Sequence, residues 1–276
     1  MDLRFCPMFS GSSGNALYVG SGEVHLLVDA GKPGSRVAAE LAGVRVDARH
    51  LAGILITHEH NDHIAGAGIL SRRYDLRIYA SGRAWAAMED RLGKIAPHNV
   101  CVFEPGEDFY IGHLSVTPFR TPHDAVDPVG FAFRAGGLKL AVATDIGCVR
   151  ESWIEQVAGA DIALLESNHD VGMLKAGRYP YELKRRILSS HGHLSNDDAA
   201  CAAVELCRRG VRNIILGHLS GENNFPELAY QSAAQALAQA GFAPGVDVGL
   251  SVALRERRSA LFTASDEPLQ VAAGQR

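Results

Sequence analysis

The stretch ILITHEHNDHIAG, residues 54–66, places four good metal-binding side chains within six positions. Its apolar residues predict a buried strand that ends before His58, and the residues from His63 onward predict an amphipathic helix. Because side chains alternate along an extended chain, His58 and His60 point to the same side. Asp62 and His63 lie at the turn into the helix and point back towards that side. Three imidazoles and a carboxylate suit zinc, manganese or iron better than calcium or magnesium. A solvated His-rich loop is the alternative, and the strand–turn–helix context argues against it.

Three further candidate ligands each follow an apolar run elsewhere in the chain. They are His123 after LSVTPFR (114–120), Asp145 after LKLAVAT (138–144) and His218 after NIILG (213–217). Sites in α/β proteins gather at the carboxyl ends of strands. Taken alone, each residue would also suit a turn or a packed loop. Together with the first four they provide seven N and O ligands, which is enough for two metal ions.

Composition and periodicity predict a layered α/β domain. The chain has 276 residues, of which 47% are hydrophobic and 21% charged, so the chain as a whole is not disordered. The nearly continuous apolar runs at 160–166 and 213–217 predict strands that are buried on both faces, with helices covering the sheets. No linker divides the sequence. We therefore expect a single domain over residues 1–262 and a flexible polar C-terminal tail over 263–276.

Helical periodicity is interleaved with these strands. The predicted helices span residues 35–43, 63–74, 81–93, 151–158, 179–190, 195–209 and 226–241. Ser195, followed by two aspartates and an Ala-rich run, is a good helix N-terminus.

Charge and cysteine usage restrict the setting in which the protein works. The formal net charge of −4 does not support electrostatic binding of nucleic acid by a strongly basic surface, although bound metal ions would add positive charge. No apolar stretch is long enough to cross a bilayer, and the N-terminus lacks a secretory apolar core. Five scattered cysteines without a Cys-x-x-Cys pair indicate reduced thiols. We expect a cytoplasmic protein with no membrane partner.

The motif HEHNDH (58–63) resembles the His-x-His-x-Asp-His signature of hydrolases with the metallo-β-lactamase fold. The resemblance extends to the YycJ/WalJ-like branch of that superfamily. It is carried by SGSSGN (10–15), LLVDAG (26–31), ILITHEHNDHIAG (54–66), HDAVDPVGF (123–131), ATDIG (143–147), LLESNHD (164–170), GHLSN (192–196) and LGHLSGENN (216–224). This ordered series is more specific than the first motif alone.

The resemblance implies a four-layer αββα sandwich with a dinuclear site at one edge. In the family pattern, His58, His60 and His123 hold one metal, Asp62, His63 and His218 hold the other, and Asp145 bridges them. The ions are expected to be two Zn²⁺ or Mn²⁺ per chain, and iron is also compatible with these ligands. None of the five cysteines aligns with a ligand position.

The same resemblance implies a nuclease-like phosphodiesterase with 5′-to-3′ DNA exonuclease activity. Two divalent cations outweigh the charges of Asp62 and Asp145, so the site attracts phosphate. A hydroxide bridging the metals would be the nucleophile, because coordination lowers the pKa of water. No long inserted domain, as found in RNase J-like or Artemis-like nucleases, fits between Asp145 and His218. DNA is therefore the expected partner, bound without a second domain.

Two residues are candidates for catalytic roles. Asp62 would both ligate metal and orient the nucleophile. His193 resembles the His of the His-Ser-Thr motif of RNase Z and would protonate the leaving 3′ oxygen. For His193, packing at the entry to a helix is the alternative.

Two backbone features are candidate phosphate-binding sites. The glycine-rich loop 10–15 contains Ser12, Ser13 and Asn15, and the predicted helix at Ser195 offers free N–H groups. From the sequence alone, a flexible turn between two strands explains the loop somewhat better, and acidic residues in the first turn of the helix weaken the second site.

Other polar residues have expected supporting roles. Glu166 ends a buried strand and would orient a metal-bound His, and His169 would contact substrate or cap a turn. The basic clusters Arg72-Arg73, Lys184-Arg185-Arg186 and Arg208-Arg209 are interpreted as solvated helix faces.

Three other functions remain open from the sequence. The main alternative is a glyoxalase II-like thioester hydrolase, or another carbonyl hydrolase, that uses the same metals. A metal-binding scaffold without turnover is the second. An oxygen-reducing di-iron protein is disfavoured, because position 60 would then be acidic and a flavin module would be attached. The native metal, DNA versus RNA, exo versus endo cleavage, a 5′-phosphate requirement, the pathway and the oligomeric state stay undetermined.

Overall fold

The structure is a computed structural model that describes residues 1–265, and its backbone forms two β-sheets. The first sheet contains β1 (Asp2–Phe9), β2 (Ala16–Ser21), β3 (Val24–Val28), β4 (Gly53–Leu55), β5 (Ile78–Ser81), β6 (Val100–Phe103) and β14 (Phe262–Ser265). The second contains β7 (Phe109–Ile111), β8 (Leu114–Arg120), β9 (Val129–Ala135), β10 (Leu138–Ala143), β11 (Ile162–Glu166), β12 (Asn213–Gly217) and β13 (Gly249–Val252). Their strand orders are β14-β1-β2-β3-β4-β5-β6 and β13-β12-β11-β10-β9-β8-β7.

Helices cover the outer face of each sheet. They are α1 (Gly34–Gly43), α2 (Asn61–Ile64), α3 (Ala67–Tyr74), α4 (Gly82–Leu92), α5 (Glu151–Val157), α6 (Val171–Ala176), α7 (Tyr181–Ile187), α8 (Asn196–Arg208) and α9 (Pro226–Gln239). Apolar residues of α1, α3 and α4 share one core cluster with the first sheet, and those of α5, α8 and α9 share another with the second. The predicted four-layer αββα sandwich is confirmed. Within residues 1–265, no helix combines the length and apolar character that crossing a bilayer requires.

A third core cluster fills the space between the two sheets. Phe5 and Leu26 of the first sheet belong to it, as do Phe133 and Leu164 of the second, and all four are fully buried. Burying one such side chain stabilises the fold by roughly 1.5–3 kcal/mol. Along β10, alternate residues face this central cluster and the helix-covered cluster, which explains the unbroken apolar run of that strand.

Strand direction brings the candidate ligands to one edge. Strands β3 to β6 pair in parallel, as do β10 to β13. Strand β8 has the same direction as β10, because both are antiparallel to β9. The carboxyl ends of β8, β10, β11 and β12 therefore lie at one edge of the second sheet. The polar residues that follow them gather there with those of the loop after β4.

The single helix predicted over 63–74 is divided into α2 and α3 at Gly66. The Gly66 amide donates a hydrogen bond to the carbonyl oxygen of Ala30, 2.7 Å away, instead of continuing the helix. A Cβ at this position would lie 2.2 Å from the carbonyl oxygen of Lys32. Close approach of the 30–32 backbone therefore interrupts the helix and anchors its first turn. The helix predicted over 179–190 is likewise shorter and corresponds to α7.

Strand pairing continues past the predicted end of the domain. Residues 263–265 form part of β14, which pairs with β1 in the register Asp2↔Ser265 to Phe5↔Phe262. Assigning these three residues to a tail is wrong, because composition does not reveal that β1 offers a free edge to a distant segment. The remainder of the predicted flexible tail, 266–276, lies outside the described residues.

Candidate metal centre and active site

The loop after β4 forms the first ligand cluster together with a residue from the end of β8. The ligand atoms of His58, His60 and His123 all lie within 4.8 Å of one another. His60 Nδ1 is 3.0 Å from Nε2 of His58 and 3.4 Å from Nε2 of His123. His58 and His123 are buried, whereas His60 is half-buried.

A second cluster forms beside the first. Asp62, His63 and His218 likewise place one ligand atom each within 4.8 Å of the others. Asp62 Oδ2 lies 3.5 Å from Nε2 of His63 and 3.8 Å from Nε2 of His218. Both imidazoles are fully buried, while the Asp62 side chain is 28% exposed and faces a cleft.

Asp145 lies between the two clusters. Its Oδ1 is 3.6 Å from His123 Nε2, and its Oδ2 is 3.4 Å from His63 Nε2 and 3.1 Å from His218 Nδ1. One carboxylate thus reaches both groups, as a bridging ligand would. The structure brings all seven predicted ligands together.

The polar atoms of this centre fit divalent cations. In the described part of the chain, Asp145 Oδ2 and both ring nitrogens of His218 are buried and have no hydrogen-bond partner. Unsatisfied buried polar atoms are costly, and cation ligation would satisfy these. The donors are imidazole nitrogens and carboxylate oxygens, the set expected for zinc or a similar transition metal. None of the four candidate ligand groups in residues 1–265 includes a cysteine.

For His218 and Asp145, burial and the neighbouring charged side chains shift the pKa in opposite directions. Burial lowers the pKa of His218, but the carboxylates of Asp145 and Glu166 outweigh it and raise that pKa to about 10. Burial raises the pKa of Asp145, yet His218 and His63 hold it well below its usual range. Burial and the nearby His63 keep the pKa of His58 low. The carboxylates therefore stay charged and attract cations.

Asp29, which is not among the predicted site residues, fixes the orientation of His63. Its Oδ2 accepts a hydrogen bond from His63 Nδ1 at 2.7 Å, and its Oδ1 accepts one from the Thr57 amide at 2.9 Å. Nε2 of His63 is therefore the nitrogen that faces the ligand cluster. The available signal was an acidic residue directly after the apolar strand β3.

Glu166 performs a similar task on the other side of the centre. Its Oε1 accepts a hydrogen bond from His193 Nδ1 at 2.8 Å and lies 3.2 Å from Nδ1 of His218. Its Oε2 accepts bonds from the amides of Ile146 and Leu194. These contacts are those of a buried carboxylate that orients two imidazoles, which supports the predicted role.

Three residues of the centre have left-handed backbones. Asp29, Asp145 and His218 have φ values of 61°, 58° and 55°. This region is unfavourable for side chains with a Cβ, and such conformations persist where the surrounding contacts enforce them. The fold thus bends the chain just after three strands to aim these side chains inward.

A cleft of about 200 Å³ opens onto the centre. Of the predicted substrate residues, Ser12 lines it beside Asp62 and His193. The other predicted residues have partners within the protein or are buried. Asn15 Nδ2 contacts the Asp62 carbonyl and His63 Nε2, Ser13 donates to Glu256, Ser195 caps α8, and His169 is 1% exposed. Substrate contact by these four stays a prediction.

Arg186 lines this cleft, although the sequence suggested a solvated helix face. Its guanidinium binds the Asp124 carboxylate in a two-pronged contact, with Nη2 3.0 Å from Oδ1. Asp124 Oδ1 is in turn 3.4 Å from His123 Nε2. The adjacent Arg185 behaves as predicted, with its side chain 67% exposed. The two arginines differ because successive residues of a helix point in different directions around its axis.

Comparison with known proteins places the chain in a family. Residues 25–219 match the model of the β-lactamase superfamily domain. The chain belongs to the metallo-β-lactamase superfamily. It is 44% identical over 245 residues to exodeoxyribonuclease YycJ of Bacillus anthracis, covering 89% of this chain and 93% of the relative. It is 41% identical over 247 residues to exodeoxyribonuclease WalJ of Streptococcus pneumoniae, covering 89% and 92%.

The fold of this chain is also similar to that of solved proteins. The metallo-β-lactamase fold protein YhfI from Bacillus subtilis superposes with a TM-score of 0.70 at 19% identity, covering 93% of this chain and 99% of that one. The predicted membership of the YycJ/WalJ-like branch is confirmed.

Proposed function

We propose that this protein is a metal-dependent phosphodiesterase that degrades DNA from the 5′ end. One observation carries the proposal: the ligand atoms of seven His and Asp side chains cluster at one centre, in a chain that matches named exodeoxyribonucleases over 89% of its length. The five cysteines are unpaired, which suits a reducing cytoplasm, and we place the protein there.

Two divalent ions would be held by the two clusters. His58, His60 and His123 would bind one, Asp62, His63 and His218 the other, and Asp145 both. Zn²⁺ or Mn²⁺ suits these donors best, and Fe is also accepted. Such cations lower the pKa of water and neutralise the charge of a phosphate.

His193 is positioned to move a proton. Its Nδ1 is bound to Glu166, so its Nε2 is the nitrogen available to the cleft that the residue lines. We assign His193 the donation of a proton to the leaving 3′ oxygen. Asp62, partly exposed in the same cleft, would orient the attacking water through its carboxylate.

Arg186 places a guanidinium in the cleft lining, where Asp124 holds it in position. A guanidinium binds phosphate through two parallel hydrogen bonds, the geometry it already adopts with Asp124. We assign it the non-bridging oxygens of the substrate phosphate, with Ser12 as a neighbouring hydrogen-bond donor.

The test combines metal analysis with a cleavage assay. Protein reloaded with Zn²⁺ or Mn²⁺ should contain two ions per chain and should release labelled mononucleotides from 5′-labelled single strands. Strands with and without a 5′ phosphate, and RNA of the same sequence, would define the preference. Internal fragments would refute exonuclease action, and faster turnover of a glutathione thioester than of bis-p-nitrophenyl phosphate would support the carbonyl hydrolase instead.

A matched pair of variants controls for nonspecific loss. His58→Ala should abolish both metal loading and cleavage, because His58 is buried within the first cluster. His50→Ala removes an exposed imidazole away from the cleft and should change neither. Undiminished cleavage by metal-depleted His58→Ala protein would exclude the proposed site.

A further inference from the structure

A second, larger cavity adjoins the metal centre. It has a volume of about 640 Å³ and lies between the carboxyl end of β8 and helix α5. His123 lines it and also belongs to the first ligand cluster. The loop 188–193 separates the two spaces, since His191 lines this cavity while Gly192 and His193 line the cleft.

The volumes of the cleft and of the cavity indicate which part of a DNA substrate each can hold. Pockets that enclose small organic ligands usually measure about 300–1,000 Å³. At about 200 Å³, the cleft holds the reacting phosphate and its immediate surroundings but not a chain of nucleotides. A polymeric substrate must continue beyond the cleft, and the neighbouring cavity has room for a nucleotide.

The cavity lining is cationic. Among its fourteen residues there is no carboxylate, and there are two arginines, Arg120 and Arg150. Arg120 is already paired with the buried Asp127. Arg150 is exposed and makes no ion pair within residues 1–265, its nearest side-chain partner being the Cys148 thiol at 3.3 Å. A free guanidinium in an acid-free lining suits a phosphate.

The remaining lining suits the other parts of a nucleotide. Pro118, Pro122 and Pro128 supply rigid apolar surface against which a sugar or base can pack. Thr121 Oγ1 is buried in this lining and has no hydrogen-bond partner in the described chain. Ser152, on the helix side, adds a further hydroxyl. Apolar, hydrogen-bonding and cationic groups therefore face one space.

We propose that this cavity is a nucleotide subsite that holds the DNA strand next to the bond being cleaved, with a backbone phosphate on Arg150. The proposal rests on the proposed DNA phosphodiesterase function. It assigns to the face of α5 and β8 a role in substrate binding that is separate from metal binding. Its ligand is a single-stranded polynucleotide, recognised through phosphate charge and packing rather than base sequence.

Arg150→Gln tests the subsite in the metal-loaded full-length protein. KM for a single-stranded 20-mer should rise about tenfold, the effect of losing one charged hydrogen-bonded contact. The slope of log affinity against log salt should fall by about 0.7, which corresponds to one phosphate. Hydrolysis of bis-p-nitrophenyl phosphate, which is too short to reach the cavity, should be unchanged. Arg83→Gln, an exposed arginine outside both linings, is the matched control and should behave as the parent protein.

A second variant tests whether the cavity must be open, rather than whether the Arg150 charge is needed. Ser152→Trp should fill the cavity and raise KM for the 20-mer while sparing the small phosphodiester, because Ser152 is exposed on α5. The subsite is refuted if both variants cleave the 20-mer as the parent does, or if they lose both substrates equally. If the parent itself leaves DNA of every length intact, the proposed function fails, which is a different result.

Discussion

Glu166 Oε1 accepts a hydrogen bond from His193 Nδ1 across 2.8 Å, and the carboxylate is fully buried. Burial raises the pKa of Glu166, but His193 and His218 outweigh it and hold that pKa at about 2. The carboxylate is therefore charged at every physiological pH. It holds a proton on Nδ1 of His193, so Nε2 is the nitrogen left for the proton transfer that we propose.

His193→Ala should separate the proton-donor role from a structural one. We expect kcat for DNA to fall by about 100-fold or more, the usual range for loss of a general acid. Hydrolysis of bis-p-nitrophenyl phosphate should fall much less, because its leaving phenolate needs no proton. Steady-state kinetics with both substrates checks this. Equal losses on the two substrates would show that His193 supports the site in another way.

Asp29→Asn should weaken metal binding although it replaces none of the seven proposed metal ligands. The change removes the charged acceptor for Nδ1 of His63, and such an orienting carboxylate typically accounts for about 10–100-fold in metal affinity. Loss of a hydrogen bond to a charged group should also lower the free energy of unfolding by roughly 1.5–3 kcal/mol. Chelator competition and urea unfolding measure the two effects.

The control for Asp29 is a carboxylate outside the centre. Asp47 is partly exposed and forms a surface pair with Arg49. A solvent-exposed pair of this kind contributes little to stability, so Asp47→Asn should leave metal affinity unchanged and stability nearly so. Parent-like metal affinity in Asp29→Asn would contradict the orienting role.

Arg186→Ala and Arg185→Ala form a matched pair on one helix. Arg186 lines the cleft, whereas Arg185 faces solvent. We expect KM for DNA to rise about tenfold in the first variant and to be unchanged in the second. Asp124→Asn should lower KM, because the guanidinium would no longer be held by that carboxylate. Similar kinetics for both arginine variants would remove Arg186 from substrate binding.

Gly31→Ala should disrupt the ligand loop through backbone contact alone. A Cβ on Gly31 would lie 1.6 Å from the carbonyl oxygen of Asp62, a distance at which the 61–63 turn must move. We expect a lower melting temperature and loss of metal from the second cluster. Gly137→Ala meets no atom within 4 Å and should be nearly neutral. Calorimetry and elemental analysis test the pair, and full metal occupancy in Gly31→Ala would contradict the expectation.

Local patterns explain why the candidate ligands were predictable. His58, His123, Asp145 and His218 each follow an apolar run, and the carboxyl ends of such strands meet at one edge. Strand β1 and the edge strands β6, β7 and β13 were not predicted. The edge strands are only three or four residues long, and β1 alternates only over its first four residues. Strand β14 depends on pairing with residues more than 250 positions away, and no local signal reports that contact.

The sequence by itself determined the layered α/β architecture, the family and the set of candidate ligands, since periodicity, strand ends and an ordered motif series are properties of neighbouring residues. Only the tertiary structure decided that Asp29 orients His63, that Glu166 contacts His193, that Arg186 but not Arg185 faces the cleft, and that a cationic cavity adjoins His123. The physical reason is that hydrogen-bond partners, helix rotation and the shape of a cavity arise from segments far apart in the chain, and they exist only once the two sheets have packed.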